Sequence, residues 1–276
     1  MKNQLLYFPN GKVSLVEKDS SFKEEITSGF YEVRMRQEKF GQIPELYTSK
    51  IDLPLSSYQL AQQYVDTDFL ATYFSKESQE LHQDMKQTHK LGMILYGKHG
   101  TGKTTACYAV AEQMIKSLGA VMITVKSISE YIYALDFLKA LKENFGNFLS
   151  GTVFDECEGS MQDHEDHMKR YLDSAYSLNN HIHFFTTNYI DNIPDSIKDR
   201  PSRIKFCIEI GGISDELAVF EILEMMNSGL KENVKMNDTN LKEISRDLIG
   251  KTLDEIKNKF IEQSFDINFG RKVQQL

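Results

Sequence analysis

The chain contains one run of residues suited to binding a polyphosphate, and it begins at Gly97. The run reads Gly97, Lys98, His99, Gly100, Thr101, Gly102, Lys103 and Thr104, followed by Thr105, and it fits the phosphate-binding pattern G-x-x-x-x-G-K-[ST]. Glycines let backbone amides turn toward phosphate oxygens, the lysine ammonium reaches the β- and γ-phosphates, and the threonine hydroxyl is a ligand for Mg²⁺. The run therefore predicts a site for ATP and Mg²⁺, with Lys103 acting on the phosphates and Thr104 on the metal.

Two acids follow an apolar stretch about fifty residues after Lys103. Asp155 and Glu156 come directly after the run Thr152–Phe154. At the carboxyl end of a strand, Asp155 can hold the hydration shell of the magnesium ion, and Glu156 can orient and deprotonate an attacking water. An acid pair alone often only caps a strand, so the phosphate-binding run favours the catalytic interpretation. Both acids together predict hydrolysis and not merely binding.

Three further polar residues are candidates for acting on the γ-phosphate. Asn188 ends the run Phe184–Thr187 and can position the water, although a turn cap is the alternative interpretation. Arg200 and Arg203 lie within four residues of each other in a chain with only seven arginines. A guanidinium neutralises charge that develops on a transferred phosphoryl group, whereas a surface salt bridge is the alternative role.

The elements that position these residues follow from the pattern after Leu91. Short apolar runs alternate with helical stretches, which is typical of βαβ units and a mainly parallel sheet. The predicted strands are Gly92–Tyr96, Ala120–Val125, Thr152–Phe154, His181–Thr186 and Ile204–Ile210. A helix is predicted from about Lys103 to Leu118, ended by Gly119. After Ile213 only helical patterns follow, at roughly 214–228, 241–248 and 253–264.

The residues before the sheet pattern predict a smaller module. Residues 4–17 read as a β-hairpin, 20–28 as a short helix, 30–35 as an extended segment and 40–54 as a loop punctuated by glycine and proline. The predicted division is an N-terminal α+β module at 1–54, a helical connector at 55–90, a nucleotide-binding α/β domain at 91–213, and a helical lid with a C-terminal tail at 214–276.

The composition restricts the class of protein. Hydrophobic residues make up 41% and charged residues 26% of the 276 residues, as in folded globular chains. A net charge of −8 gives no whole-molecule attraction to nucleic acid or anionic membranes, so nucleic acid would need a local basic patch. Three cysteines in no metal-like spacing are expected to be buried thiols. No apolar run reaches the ~18 residues of a membrane span, and a cytoplasmic location is expected.

Taken in chain order, four segments resemble the signature elements of AAA+ ATPases, particularly the AAA clade. LYGKHGTGKTT, VFDECEG, FFTTNY and DRPSRI are similar to the Walker A, Walker B, sensor 1 and second-region-of-homology elements. The resemblance covers residue 91 to about 265 and includes the helical lid. It implies a P-loop NTPase fold with a mainly parallel five-stranded sheet and a ring homo-oligomer such as a hexamer. It also implies that Arg200 and Arg203 act in trans on ATP bound to a neighbouring subunit.

The chain departs from the family pattern at several positions. His99 stands where the family often has proline, and Lys251-Thr252-Leu253 follows Gly250 where many AAA+ clades carry an arginine. An aromatic pore loop that grips polypeptide would fall near Tyr131 and Tyr133, but its glycine is missing. Helix packing is the alternative role for both tyrosines. Threading of polypeptide through a pore is therefore not implied.

Three functions fit these features. The first is ATP hydrolysis by a ring that remodels or disassembles a protein or protein complex, which the resemblance and the acidic charge favour. The second is a nucleic-acid motor or loader on the same fold, for which the basic residues among 1–50 are interleaved with acids. The third is a nucleotide-gated scaffold, which the presence of Glu156 disfavours.

Overall fold

A computed structural model describes residues 4–7, 13–16, 26–38, 41–54, 56–173 and 177–269. The strands are β1 (Gln4–Tyr7), β2 (Val13–Val16), β3 (Gly29–Glu38), β4 (Gly41–Ser49), β5 (Lys90–Tyr96), β6 (Val121–Val125), β7 (Ser150–Phe154), β8 (His181–Thr187) and β9 (Phe206–Glu209). The helices are α1 (Ser56–Tyr64), α2 (Thr67–Tyr73), α3 (Lys76–Asp84), α4 (Lys103–Leu118), α5 (Ile128–Phe145), α6 (Glu158–Asp163), α7 (Glu165–Leu172), α8 (Asp195–Lys198), α9 (Glu216–Ser228), α10 (Asp238–Asp247) and α11 (Leu253–Phe269).

The five strands predicted after Leu91 are all present as β5 to β9, and they lie in the order β6-β7-β8-β5-β9. Every neighbouring pair among them is parallel. Strand β8 lies between β5 and β7, so the chain crosses over and returns. The predicted α/β fold with a parallel sheet is confirmed. The helices predicted after Ile213 also form, as α9, α10 and α11, and are called the lid helices below.

The sheet continues beyond the predicted five strands on the β6 side. Strand β3 pairs in parallel with β6, and β4, β1 and β2 then add antiparallel strands. The hairpin predicted at 4–17 is present as β1 and β2, with its turn outside the described residues. The segment predicted as a helix lies mostly outside them as well, and 26–28 is not helical. The N-terminal strands are thus hydrogen-bonded to the parallel sheet.

The prediction of a loop over 40–54 is wrong for Gly41–Ser49, which forms β4. Pro44 favours a loop in the sequence, because proline lacks the N–H that a central strand donates to its neighbouring strand. Here Pro44 faces Met35 on β3, whereas the pairing of β4 with β1 begins only at Glu45. Within the described residues, Pro44 is therefore paired with a strand on one side only, a position that tolerates the missing donor.

The sheet separates two apolar cores. Leu91, Met93 and Leu95 of β5 lie in the core formed with α1, α4 and the lid helices. Ile94, between them in sequence, lies in the second core with α5, α6 and α7. Side chains alternate in this way because consecutive residues of a strand face opposite sides of a sheet. The helices predicted over 55–90 and 103–118 therefore cover one face of the sheet.

The tyrosines considered for a pore loop lie on α5 and not in a loop. Tyr131 is fully buried, and its hydroxyl lies 2.9 Å from Nδ1 of His183. The pore-loop interpretation is therefore wrong for Tyr131, because a buried side chain cannot grip a polypeptide. Tyr133 is partly buried against the same core. Cys207 also departs from expectation, since it is exposed while Cys107 and Cys157 are buried.

None of the described helices combines the length and the apolar character that crossing a membrane requires.

Two histidines of β8 lie buried beneath α5. Nδ1 of His181 lies 2.7 Å from the hydroxyl of Ser150, and Nδ1 of His183 is in reach of Tyr131 and Thr152. Burial lowers the pKa of His181 well below its usual value and lowers the pKa of His183 to about 3. Both imidazoles are therefore neutral in the folded protein at neutral pH.

We expect these histidines to make the fold sensitive to mild acid. The unfolded chain binds a proton at each histidine near pH 6.5, whereas folded His183 does so only near pH 3. The unfolded state thus binds more protons below pH 6.5, so the stabilisation is complete above that pH and is lost as the pH falls. The free energy of unfolding should decrease by about 1.4 kcal/mol per pH unit for each such histidine. Urea unfolding between about pH 7.5 and pH 5 measures this slope.

The substitution His183→Phe should make the slope shallower, because it removes one of the titrating groups. His164→Gln provides the matched control, since His164 is exposed and should leave the slope unchanged. Equal slopes in all three proteins would contradict the role of the buried imidazole.

Candidate nucleotide-binding site

The phosphate-binding loop connects β5 to α4. Gly97 has a φ of 147°, and a Cβ atom there would lie 2.3 Å from the carbonyl oxygen of Ile210. Gly102 has a φ of 92°, and its Cβ would lie 2.5 Å from the Leu60 side chain. Other residues would thus be strained at both positions and would push apart the elements that hold the loop. The loop conformation depends on these glycines.

The loop leads directly into the N-terminus of α4. Gly102 is the N-cap residue of this 16-residue helix and, having no side chain, makes no capping hydrogen bond. The first amides of α4 are thus left for another acceptor, and the helix dipole adds positive potential at the same end. This arrangement fits the phosphate group of a nucleotide.

The ammonium group of Lys103 lies within the loop. Its Nζ donates to the carbonyl oxygen of Lys98 at 2.7 Å, and the Thr101 hydroxyl donates to the same oxygen at 3.0 Å. Lys103 is buried, and desolvation lowers its pKa, while the nearby charge of Asp155 acts in the opposite direction. The positive charge is thus held where the phosphates of a nucleotide would lie.

The two strand-end acids lie beside the loop. The hydroxyl of Thr104 donates to Oδ1 of Asp155 at 2.7 Å, which brings the two predicted magnesium ligands together. Hydroxyl and carboxylate oxygens are ligands that Mg²⁺ accepts. Glu156 follows with a φ of 51°, the left-handed region, and its side chain is exposed. A non-glycine residue in this region is uncommon and is often found at functional sites.

Several of the predicted residues line one cavity of about 200 Å³, whereas Asp155, Arg200 and Arg203 are not among its lining residues. Asn188, which follows β8, lines it together with Glu156 and Lys103. The remaining lining residues are His99, Gly100, Gly102, Thr104, Thr105, Thr186 and Asp254. The fold thus brings together the loop, the acid predicted to activate water and the asparagine predicted to position it.

A larger cavity of about 710 Å³ adjoins the first one, between the loop and the lid. His99, Gly100 and Asp254 line both cavities. The larger cavity is also lined by Glu209–Gly212 and by lid residues, among them Gly250, Lys251 and Asn258. Its size and its position beside the loop suit the nucleoside part of a nucleotide.

Two contacts join the lid to the loop region. The backbone N–H of Asp254 donates to the carbonyl oxygen of Gly100 at 3.1 Å. Ile213 and Lys251 form an antiparallel bridge next to the strand β9. The lid and the phosphate loop are therefore in direct backbone contact.

Arg200 and Arg203 occupy different environments. Arg203 is buried, and its guanidinium binds both carboxylate oxygens of Asp173 at 2.9 and 2.8 Å. It also donates to the carbonyl oxygen of Ser196 at 2.5 Å. Arg200 is 58% exposed and approaches Asp173 only to 3.9 Å. In this conformation the guanidinium of Arg203 is engaged within the chain, so Arg200 is the more solvent-accessible of the two arginines.

Two residues that line the site were missed by the sequence analysis. Thr186 lies inside an apolar run, which predicts a strand and no further role. Its position two residues before Asn188 is the signal that it lies near the strand end and hence near the site. Asp254 lies in the first turn of α11, and its approach to Gly100 depends on how the lid folds back. No local pattern in the sequence reveals that approach.

The two arginines should differ in their effect on stability. Arg203→Ala removes hydrogen bonds to a carboxylate and leaves Asp173 without its main partner, so it should lower the free energy of unfolding by about 2–3 kcal/mol. Arg200→Ala should change it by no more than about 0.5 kcal/mol, because exposed ion pairs contribute little. Chemical denaturation of the two variants beside the wild type measures the difference. Equal destabilisation by both substitutions would contradict the buried role of Arg203.

Comparison with known proteins agrees with this geometry. Residues 93–211 match the family described as "ATPase family associated with various cellular activities (AAA)". No match to a curated protein was found at a significant level. The matched span contains most of β5 and all of the phosphate loop, the two acids, Asn188 and both arginines. It therefore supports nucleotide binding and ATPase activity. Residues 93–211 are thus similar to the AAA family of ATPases, and this match supports an AAA+ assignment for that part of the chain.

Proposed function

We propose that the protein hydrolyses ATP at the loop that ends at Lys103 and uses the energy in a ring assembly to remodel a protein or protein complex. The observation that carries this proposal is the hydrogen bond between Thr104 and Asp155, with Glu156 and Asn188 beside them. A site for binding alone would need the loop but not the acid and amide that act on water. Both are present around one cavity.

The loop and the two cavities account for nucleotide binding. The amides at the start of α4 and the ammonium of Lys103 would bind the phosphates, which fit the smaller cavity. The nucleoside would lie in the larger cavity, toward Gly211 and Gly212. Tyr64 fixes this wall, since its hydroxyl donates to the carbonyl oxygen of Gly211 at 3.3 Å.

Thr104 and Asp155 are the residues that would hold Mg²⁺. Their oxygens lie 2.7 Å apart, Thr104 lines the phosphate cavity, and both oxygens suit a hard cation. The ion would neutralise charge on the β- and γ-phosphates as it develops during transfer. The pairing of Thr104 with Asp155 keeps both side chains at this place before nucleotide arrives.

The acid and the amide act on the water. Glu156 accepts a proton from water, and the water oxygen then forms a bond to the γ-phosphorus as the bond to the β–γ bridging oxygen breaks. ADP leaves with the electron pair of that bond, and inorganic phosphate is the second product. Asn188 orients the water, and Lys103 stabilises charge on the phosphate oxygens.

We assign the role of the trans arginine to Arg200. Its exposed guanidinium is available to another subunit, whereas the guanidinium of Arg203 is bound to Asp173. A guanidinium supplied by a neighbour would neutralise charge on the phosphoryl group and make hydrolysis depend on assembly. Arg203 then serves to hold the segment that carries Arg200.

The lid provides the proposed route from hydrolysis to mechanical work. Its helix α11 contacts the loop through Asp254 and Gly100, and the nucleoside cavity lies between the two parts. Loss of the γ-phosphate would change the contacts on both sides of that cavity. The net charge of −8 favours a protein over a nucleic acid as the substrate that this motion acts on.

The substitution Glu156→Gln should abolish hydrolysis and keep nucleotide binding. The amide preserves the shape of the side chain but does not accept the proton, so the turnover number should fall by roughly 100-fold or more. Phosphate release measures turnover, and a fluorescent ATP analogue measures binding. Asp163→Asn on the following helix is the control for removing an exposed acid nearby and should retain wild-type activity.

Wild-type turnover in Glu156→Gln would refute the catalytic role of this acid. The same variant should accumulate with ATP bound and retain the protein substrate in a pull-down. ATPase stimulation by DNA, with binding that weakens as salt is added, would instead favour the nucleic-acid motor.

Mixed subunits test whether Arg200 acts in trans. Lys103→Ala and Arg200→Ala should each be nearly inactive alone, but together they should recover activity. A site is complete where an Arg200→Ala subunit supplies the intact phosphate loop and a Lys103→Ala neighbour supplies the intact Arg200. In a random equimolar mixture, about a quarter of the junctions have this arrangement. Phosphate release from equimolar mixtures measures the recovery.

The matched control is a mixture of Lys103→Ala with Glu156→Gln. Both substitutions affect the same side of the junction, so no site in the mixture is complete and no recovery is expected. Full activity of Arg200→Ala alone, or no recovery in the first mixture, would contradict action in trans.

A further inference from the structure

Thr186 lies at the carboxyl end of β8, between the phosphate loop and the strand-end acids. It is 1% exposed and pairs with Leu95 of β5 on one side. On the other side, the pairing of β8 with β7 ends one residue earlier, at Phe185 and Phe154. A buried hydroxyl in such a place needs hydrogen-bond partners, because burying it without them is costly.

The partners of this hydroxyl are the two acids themselves. Oγ1 of Thr186 donates to Oδ1 of Asp155 and accepts from the backbone N–H of Glu156, the latter at 3.0 Å. The directions are fixed, because a backbone N–H only donates and an ionised carboxylate only accepts. A threonine hydroxyl has one donor and two acceptor positions, so it satisfies both contacts at once.

The contact with Glu156 controls its backbone. Glu156 has a φ of 51°, a conformation that residues other than glycine rarely adopt without support from their surroundings. The hydroxyl of Thr186 holds its N–H, and the carbonyl oxygen of Thr186 accepts from the N–H of Cys157 at 3.0 Å. Thr186 thus binds the chain on both sides of the Glu156 side chain and sets the direction in which that side chain leaves the backbone.

The contact with Asp155 is shared with the phosphate loop. Oδ1 of Asp155 accepts from both Thr186 and Thr104. If the Thr104 hydroxyl bound Mg²⁺, its contact with Asp155 would change, whereas Thr186 is not among the residues that would hold the ion. Thr186 would then keep the carboxylate in place while Thr104 changes partners.

We infer that Thr186 is a positioning residue for hydrolysis, which holds Glu156 in its left-handed conformation and Asp155 against the metal site through one hydroxyl. The inference rests on the proposed ATPase function and deepens it. It places the alignment of water activation on β8, the strand that Asn188 directly follows.

Thr186→Val tests this role, because valine has the shape of threonine without the hydroxyl. The turnover number should fall by about 10- to 100-fold, with the KM for ATP changed by less than about threefold, since the groups that bind phosphate are intact. Thr186→Ser restores the hydroxyl and should recover activity to within about threefold of wild type. In a Glu156→Gln background, Thr186→Val should cause little further loss, because both act on the same step.

Hydrogen exchange gives a readout without nucleotide. The amide of Glu156 should exchange at least about tenfold faster in Thr186→Val than in the wild type and in Thr186→Ser, because it has lost its acceptor. Thr152→Val is the matched control. Thr152 lies on neighbouring β7 and is equally buried, but its hydroxyl lies 3.2 Å from Nδ1 of His183 and not beside the acids. Its loss should therefore leave the turnover number and the exchange rate of the Glu156 amide unchanged.

Wild-type turnover together with unchanged exchange in Thr186→Val would overturn the inference. If the valine variant does not melt cooperatively, Thr186→Ala replaces it with the same expectations. If the wild type neither binds nor hydrolyses ATP, the proposed function fails, and the exchange of the Glu156 amide still decides whether Thr186 holds this segment.

Discussion

The hydrogen bond between Thr104 and Asp155 joins two parts of the chain that the site cannot do without. Thr104 belongs to the start of α4 after β5, and Asp155 follows β7, yet these two strands are not neighbours. Strand β8 lies between them, so the loop and the acids can meet only across its end. Side chains from the end of β8 are therefore built into the site by the strand order, and Thr186 and Asn188 occupy that position. The strand order therefore places Thr186 and Asn188 in the site, whatever their chemical roles.

The same topology explains which parts of the site the sequence predicts. The loop, the acids and Asn188 stand at the ends of apolar runs, and parallel strands bring such ends to one edge of a sheet, so local patterns suffice. Thr186 is still within its strand, and its role depends on which strand lies beside β8. The distinction between Arg200 and Arg203 depends on Asp173, about thirty residues earlier, and no local pattern announces that pairing. The parts that sequence misses are those that depend on contacts between distant segments.

The N-terminal region shows the same limit. The alternation in β3 was visible as an extended segment, but Gly41 and Pro44 concealed β4, because both residues usually interrupt strands. The described pairing of β1 with β4 stops at Glu45, so the missing N–H of the proline breaks no described hydrogen bond on that side. Strand β3 covers the edge of β6, which would otherwise expose unpaired backbone groups next to the segment after Val125. The extension therefore protects the sheet that positions the site.

The two arginines illustrate how burial divides roles between chemically identical groups. A buried guanidinium must be paired, and Arg203 meets this requirement with both oxygens of Asp173 and the carbonyl oxygen of Ser196. Those bonds fix the turn that precedes β9, and Arg200 lies in that turn three residues earlier with its side chain exposed. Arg203 thus stabilises the turn, and Arg200 extends from that turn into solvent. In the proposed ring, a neighbouring subunit would meet a single guanidinium whose backbone is held in place. The geometry of the proposed shared site would then depend on Asp173, although that carboxylate is not among the residues that line the phosphate cavity.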